Sequence, residues 1–392
     1  MISNARLSVL LRITLLFLPF HAAPAAEITA GHYLVYIGTY TGPKSQGIYA
    51  CQLDARSGSL TSPALAAETP SPSFLAIASN QKFLYAANEL DQFRGKRGGA
   101  VSSFAIDSAS GKLRLLNQQP SGGPGPCHVS VDHSGKVVLA ANYGGGSIAS
   151  FPIKSDGSLG QAASFIQHQG SSANPQRQRE PHAHCIGVDP ANKFVLAADL
   201  GLDKVLVYRL NAQTATLTEN ARQFGAVAPG AGPRHFSFTP DARHCYVINE
   251  INSTLTAFAY SGANGSLQQI QTISTLTGAP DAKNSTAEIE VHPSGKFVYG
   301  SNRGHDSIVV FSIDPKTGKL SLVQDQPSGG KTPRSFGIDP SGAFLLAANQ
   351  SSDNVVVFRI DPSSGRLTPT GQQVQAGAPV CVKFLRLDRG AP

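Results

Sequence analysis

Tryptophan is absent from the 392 residues, methionine occurs once, and charged side chains make up 15% of the chain, below the usual quarter. Charge this sparse excludes a disordered acidic or basic chain and a coiled coil, both of which need dense charge. The net charge of +7 comes from scattered Lys and Arg with no run above three, so no nucleic-acid partner is expected. Beyond the N-terminal segment no apolar run approaches the roughly 20 residues a membrane span needs. The five cysteines (Cys51, Cys127, Cys185, Cys245 and Cys381) form no CxxC pair and no metal-type spacing. At least one must stay unpaired, and mostly buried thiols are expected. What is plentiful is turn and strand material: 39 Gly, 26 Pro and many Val, Ser and Thr.

The first 25 residues read as a secretory signal. Arg6 and Arg12 stand in an otherwise uncharged segment, residues 13–20 form a short apolar core, and Ala23-Pro24-Ala25 places small residues at −3 and −1 of a cleavage site. The expectation is an exported protein, periplasmic or secreted, with no membrane attachment once the signal is removed. Residues 26–392 would then form a single domain.

One hairpin recurs seven times, starting at Gly47, Ala100, Ser147, Lys204, Thr254, Ser307 and Asn354, as in SIVVFSIDPKTGKL and NVVVFRIDPSSGRL. Each copy is a period-2 strand, a turn of Asp, Ser, Asn and Gly, and a second strand. A second hairpin lies between copies, with turns such as VDHSGK, VHPSGK and IDPSGA. Let p denote the first residue of its inner strand. Aligning the turns puts p at Ser73, Cys127, His184, Arg234, Ala287, Arg334 and Val380, and an Asn or Asp follows at p+15 in six copies. The seventh copy has its inner strand at the C-terminus and its partner strand, YLVYIGTY, near the N-terminus. Seven four-stranded units make an all-β, seven-bladed β-propeller whose last blade is closed by strands from both chain ends.

In such a blade the inner strand lines the central channel, so p and p+16 share its mouth. His184, Arg234 and Arg334 fall at p, and Glu250 and Arg303 at p+16. A carboxylate and an imidazole among guanidiniums suit acid–base work on a small anionic substrate. The Asn/Asp series, Asn249 included, is expected to hydrogen-bond strand ends. His128 and His235, at p+1, are expected to point away from the channel, by strand alternation. Two basic loops, Gln176-Arg177-Gln178-Arg179 and Arg94-Gly95-Lys96-Arg97, are expected on the channel-mouth face, where they would attract acidic substrates.

The chain resembles one family closely. GAGPRH followed by INEINST, with YIGTYT, GPCHVS, NYGGGSI, PHAHC, SNRGHDSI and TPRSFGIDPSG, is similar to the seven-bladed lactonases. That family holds the bacterial propeller-type 6-phosphogluconolactonases and the fungal carboxymuconate lactonising enzymes. The resemblance implies an active site of one His, two Arg and one Glu. On this chain these are Arg234, Arg303, Glu250 and a His of the PHAH run, where repeat phase selects His184 at p and leaves His182 at p−2 able to reach in from the loop; His182, Arg334 and Asn249 are expected as further substrate contacts. It implies a lactone hydrolase, with a carboxymuconate-type cycloisomerase or a non-catalytic binding propeller as alternatives. Glu250 is expected to take a proton from water and His184 to return one to the leaving alkoxide. No cofactor is expected, and no metal, since Arg234 and Arg303 would stand beside any divalent site at Glu250. Export departs from the family's cytoplasmic, phosphorylated substrate, so the lactone itself stays open.

Overall fold

The computed structural model describes Met1, residues 31–278 and residues 283–387. Apart from Met1, the expected signal segment lies outside the described residues. Seven antiparallel four-stranded sheets stand around a central channel, with one extra two-stranded hairpin, Gln92–Phe93 with Lys96–Arg97. The blades are numbered from the one whose inner strand is Pro72–Ile77. Blades 2 to 6 have inner strands Pro126–Val131, Ala183–Val188, Pro233–Phe238, Ser285–Val291 and Pro333–Ile338. In blade 7 the C-terminal strand Pro379–Leu387 is innermost and pairs with His32–Thr39, which joins both chain ends in one sheet. This closes the ring of blades, and the inner strand edges that remain are short and face the channel. Among the described residues no helix is long and apolar enough to cross a membrane.

Apolar side chains of adjacent blades interdigitate, and a tyrosine ties several neighbours together. Tyr85, Tyr246 and Tyr299 donate to the carbonyls of Gly157, Gly318 and Gly365, at 3.1, 2.9 and 2.7 Å, each a turn glycine in the next blade. Gly365 has φ +73°, and a Cβ there would lie 2.5 Å from the Phe297 ring, so backbone and space both demand glycine. All five cysteines are free and buried.

The inner strands carry one irregularity that decides what faces the channel. In each of the seven, residue p−1 pairs with the end of the second strand, and the register then shifts. Pro72 faces Asn88, for example, and Phe74 faces Ala87, which leaves Ser73 as an extra residue. This is a β-bulge, and p−1 is proline in five of the seven copies. A bulge breaks the alternation, so both p and p+1 turn inward. His128 and His235 therefore do not point away from the channel. They meet there with Phe74, at ring distances of 4.1 Å (Phe74–His128), 5.2 Å (His128–His235) and 5.5 Å (Phe74–His235).

Candidate functional site

The p+15 ring holds strand ends in place. Asn88 donates to Thr69 Oγ1 and the Pro70 carbonyl, Asn302 to the Thr275 carbonyl, and Asn349 to the Ser328 carbonyl. Asn249 Nδ2 donates to Thr254 and Thr256 Oγ1, both at 2.9 Å, inside its own blade. The structure does not bring the Asn249 side chain to the cavity. Asp199 accepts from the His182 and Gly201 backbone amides and bonds His168 Nδ1 at 2.6 Å.

One residue further on, p+16 forms a second ring that does face the channel mouth. Glu89, Tyr143, Glu250 and Arg303 occupy it in blades 1, 2, 4 and 5, and together with Cys127, Arg177, His184 and Arg334 they line a cavity of about 200 Å³. Arg234 lies just below, on a smaller floor cavity that shares Glu89, Cys127, His184 and Arg334 with the upper one. His184, Arg234, Glu250 and Arg303 are thus brought together, with Arg334 beside them. His182 stacks on Tyr143 at 4.6 Å, one layer behind the cavity wall.

Glu250 is the hub. Oε1 accepts from Arg177 Nη2 at 2.6 Å, while Oε2 lies 3.0 Å from both Arg234 Nε and Arg303 Nη2. Burial opposes its charge, but Arg303, Arg234 and Arg177 outweigh burial and hold the carboxyl at about 2. The guanidiniums are fixed in turn: Arg234 Nη1 donates to the Ala287 carbonyl at 2.6 Å and Arg303 Nη2 to the Thr286 carbonyl at 2.7 Å. Arg303 Nε is buried without a hydrogen-bond partner. Arg334 rests against the Tyr40 ring and donates to the Tyr40 hydroxyl at 2.8 Å, which donates to Glu89 Oε2 at 2.9 Å. His184 is buried, with Nδ1 3.8 Å from the Cys127 thiol; burial, then Arg234, push its pKa well below the usual imidazole value. It is a neutral imidazole at pH 7.

The division of labour expected between Glu250 and His184 meets a physical obstacle here. A carboxylate clamped by three guanidiniums is a weak base, and an imidazole held neutral among cations is a poor acid. Arg177 is the residue that reading by strand phase missed. It comes from the basic loop before blade 3, and it reaches Glu250 and the Tyr143 hydroxyl directly. Its neighbours do not follow: Gln178 is buried, bonded to Leu200 and Asp203, and Arg179 turns back on Pro175. Among the described residues no group of three or more His, Cys, Asp or Glu side chains is arranged to hold a metal ion.

Comparison with known proteins covers nearly all of the described chain. A family model described as "Lactonase, 7-bladed beta-propeller" matches residues 34–384. A Bacillus subtilis protein named 6-phosphogluconolactonase is 40% identical over 353 residues, covering 90% of this chain and 98% of its own. One of the same name from Formosa agariphila is 35% identical, covering 77% of this chain and 85% of its own. The solved periplasmic gluconolactonase of Pseudomonas aeruginosa superposes with a TM-score of 0.86 at 34% identity, covering 91% of this chain and all of that one.

Proposed function

The chain belongs to the seven-bladed β-propeller lactonases, and we propose that it hydrolyses an anionic sugar-type lactone in the cavity at the channel mouth. The observation that carries this reading is the charge balance of that cavity. Arg177, Arg234, Arg303 and Arg334 surround two carboxylates, Glu250 and Glu89, leaving two guanidiniums in excess. Arg303 and Arg334 both line the cavity, and the hydrogen bonds that hold them in place come from one nitrogen each, Nη2. Free guanidinium donors in a closed site match a phosphate or carboxylate bidentately.

Hydrolysis in this setting needs an oxyanion stabiliser and a fixed binding geometry. Arg303, held by Glu250 and the Thr286 carbonyl, is placed to take the carbonyl oxygen as it gains charge. Arg177 and Arg334 line the same cavity and would hold the anionic substituent. Glu250 keeps three guanidiniums converged that would otherwise repel one another. The relatives named as 6-phosphogluconolactonase and periplasmic gluconolactonase favour hydrolysis of an aldonolactone. The signal-like segment, together with a periplasmic relative, favours export.

The test is acid release in a pH-stat, corrected for spontaneous hydrolysis, on glucono-lactone with and without a 6-phosphate and on aromatic-acid lactones. The reading expects turnover of at least one aldonolactone and a higher kcat/KM for its acidic form. Spontaneous rates on every lactone of the panel would reject it.

A further inference from the structure

The hydrolytic reading leaves one chemical role without an owner. Some group must take a proton from the attacking water, and neither Glu250 under its three guanidiniums nor His184 without a carboxylate partner suits it. The bulges put a second imidazole just below. His235, at p+1 of blade 4, packs its ring 5.1 Å from that of His184. Its Nδ1 lies 2.6 Å from Glu288 Oε1, a buried carboxylate at p+1 of blade 5. Glu288 is fixed by two further bonds, Oε1 accepting from the Ile289 amide at 3.2 Å and Oε2 from Ser335 Oγ at 3.1 Å. A carboxylate on Nδ1 sets the tautomer: Nδ1–H donates, and Nε2 keeps its lone pair.

That Nε2 is buried and has no hydrogen-bond partner. The His235 ring lines the floor cavity of about 10 Å³, with Ser73, Cys127, His184, Arg234 and Arg334. Ser73 Oγ is a second buried atom there without a partner. A polar void of this size fits about one water molecule. The floor shares four wall residues with the upper cavity. A water in the floor cavity is therefore next to whatever the upper cavity binds.

We propose that His235 is the general base of lactone hydrolysis, acting through Nε2 on a water in the floor cavity, and that Glu288 is its positioning residue. This rests on the lactonase reading and adds the proton path. His235 Nε2 removes a proton as the water oxygen bonds to the carbonyl carbon, and the resulting oxyanion is held by Arg303. When the intermediate collapses, the ring C–O bond breaks and the alkoxide takes the proton from the His235 imidazolium. One lactone and one water become one hydroxy acid, and the dyad returns to its starting state. The arrangement follows the logic by which a buried carboxylate orients a catalytic imidazole and stabilises its cation. Glu288 is itself ionised: burial opposes its charge, but the hydrogen bond from His235, with Lys383 and Arg234 nearby, holds its carboxyl below the usual carboxylate range, while burial pushes the His235 imidazole down and keeps it neutral.

The experiment is steady-state kinetics on the lactone that the wild type opens fastest, from pH 3.5 to 8.5. His235→Asn keeps a donor toward Glu288 and deletes Nε2; Glu288→Gln keeps shape and deletes charge. The expected result for H235N is a kcat about 10² to 10⁴-fold lower with KM within threefold, the range that a general base contributes. E288Q should lose kcat and also move the low-pH limb of the kcat profile to lower pH, because the imidazolium has lost its carboxylate. Arg234, Lys383, His184 and His128 also face the ring and are unchanged in that variant. A merely structural role for Glu288 would lower kcat without moving the limb. H235N with kcat within threefold of wild type, or E288Q with an unshifted limb, overturns the dyad. Should H235N not fold, the E288Q profile decides alone. An inactive wild type removes the lactonase reading, whereas an active wild type with an active H235N removes only the dyad.

Discussion

Replacing Glu250 by Gln should cost the folded protein more than any other single change in the cavity. The variant leaves Arg177, Arg234 and Arg303 converged on a neutral amide. Arg177 can swing toward solvent, since its side chain is 41% exposed. Arg234 and Arg303 cannot, at 3% and 13%. Removing one partner of a buried ion pair costs about 3–5 kcal/mol. An independent route gives a similar figure: the shift of the Glu250 carboxyl from its ordinary 4.5 to about 2 corresponds to about 3 kcal/mol. With an unfolding entropy of about 2.1 cal/mol/K per residue, a chain of this size loses about 4–7 °C of Tm for about 3–5 kcal/mol.

The pH dependence is the sharper part of that prediction. The folded pKa of Glu250 is depressed, so its contribution is fully present above about 4.5 and is lost as pH falls toward 2. Thermal melts of wild type and E250Q should therefore differ most near neutral pH and converge as pH falls from 5 to 3. Added inorganic phosphate should raise the Tm of E250Q more than that of wild type, because the freed guanidiniums gain an anion. A Tm gap under 1 °C at pH 7, or a gap that stays constant down to pH 3, would refute the hub assignment.

Substituting Arg334 or Arg177 by Ala should raise KM for a phosphorylated lactone about tenfold or more, as expected for losing a charge-assisted hydrogen bond, with a smaller change for the neutral lactone, whereas R303A should lower kcat on both lactones alike; paired kinetics on the two substrates check this. Raising ionic strength from 0.05 to 1 M should lower kcat/KM for the acidic lactone and leave the neutral one nearly unchanged, since screening acts on the guanidinium field; equal salt responses would count against an anion site. Activity should survive dialysis against EDTA, because the Glu250 oxygens are taken by guanidiniums; loss on chelation with recovery on calcium would reverse that. Mass spectrometry of protein secreted or released from the producing cell should find Ala26 at the N-terminus, and an intact Met1 would argue against export.

Most of the architecture was legible because a propeller writes itself into sequence as a period. The seven hairpins, the blade built from both chain ends and the p+15 ring all follow from turn spacing, and each stands where that spacing puts it. The p+16 ring was legible too, but only Glu250 and Arg303 were taken from it as site residues. The same rule, applied to every blade, reaches Glu89, Tyr143 and, in the closing blade, Tyr40, the residues that complete the cavity and anchor Arg334. Arg177 lay beyond any such rule. A loop has no period, and its alternate Gln and Arg residues give no sign of which one turns inward.

The inward histidines show where period-2 reasoning stops. Alternation assigns p and p+1 to opposite faces, and that holds only while each residue has one partner across the ladder. At the mouth of a seven-fold ring each inner strand must bend sharply, and an unpaired residue there supplies the bend. Proline at p−1 cannot donate to the ladder, so a run such as GPRH or TPRS marks a place where pairing is already interrupted. Wherever that bulge sits, two successive side chains enter the channel instead of one. The seven copies thereby gain a second layer beneath the first, in which Phe74, His128, His235, Glu288 and Ser335 meet at the axis. A layer that buries a carboxylate–imidazole pair must recover the cost of desolvation through hydrogen bonds, and Glu288 does so on both oxygens. The same irregularity that turns the strand thus gives the channel both a charged rim and, beneath it, a buried floor that holds a carboxylate–imidazole pair.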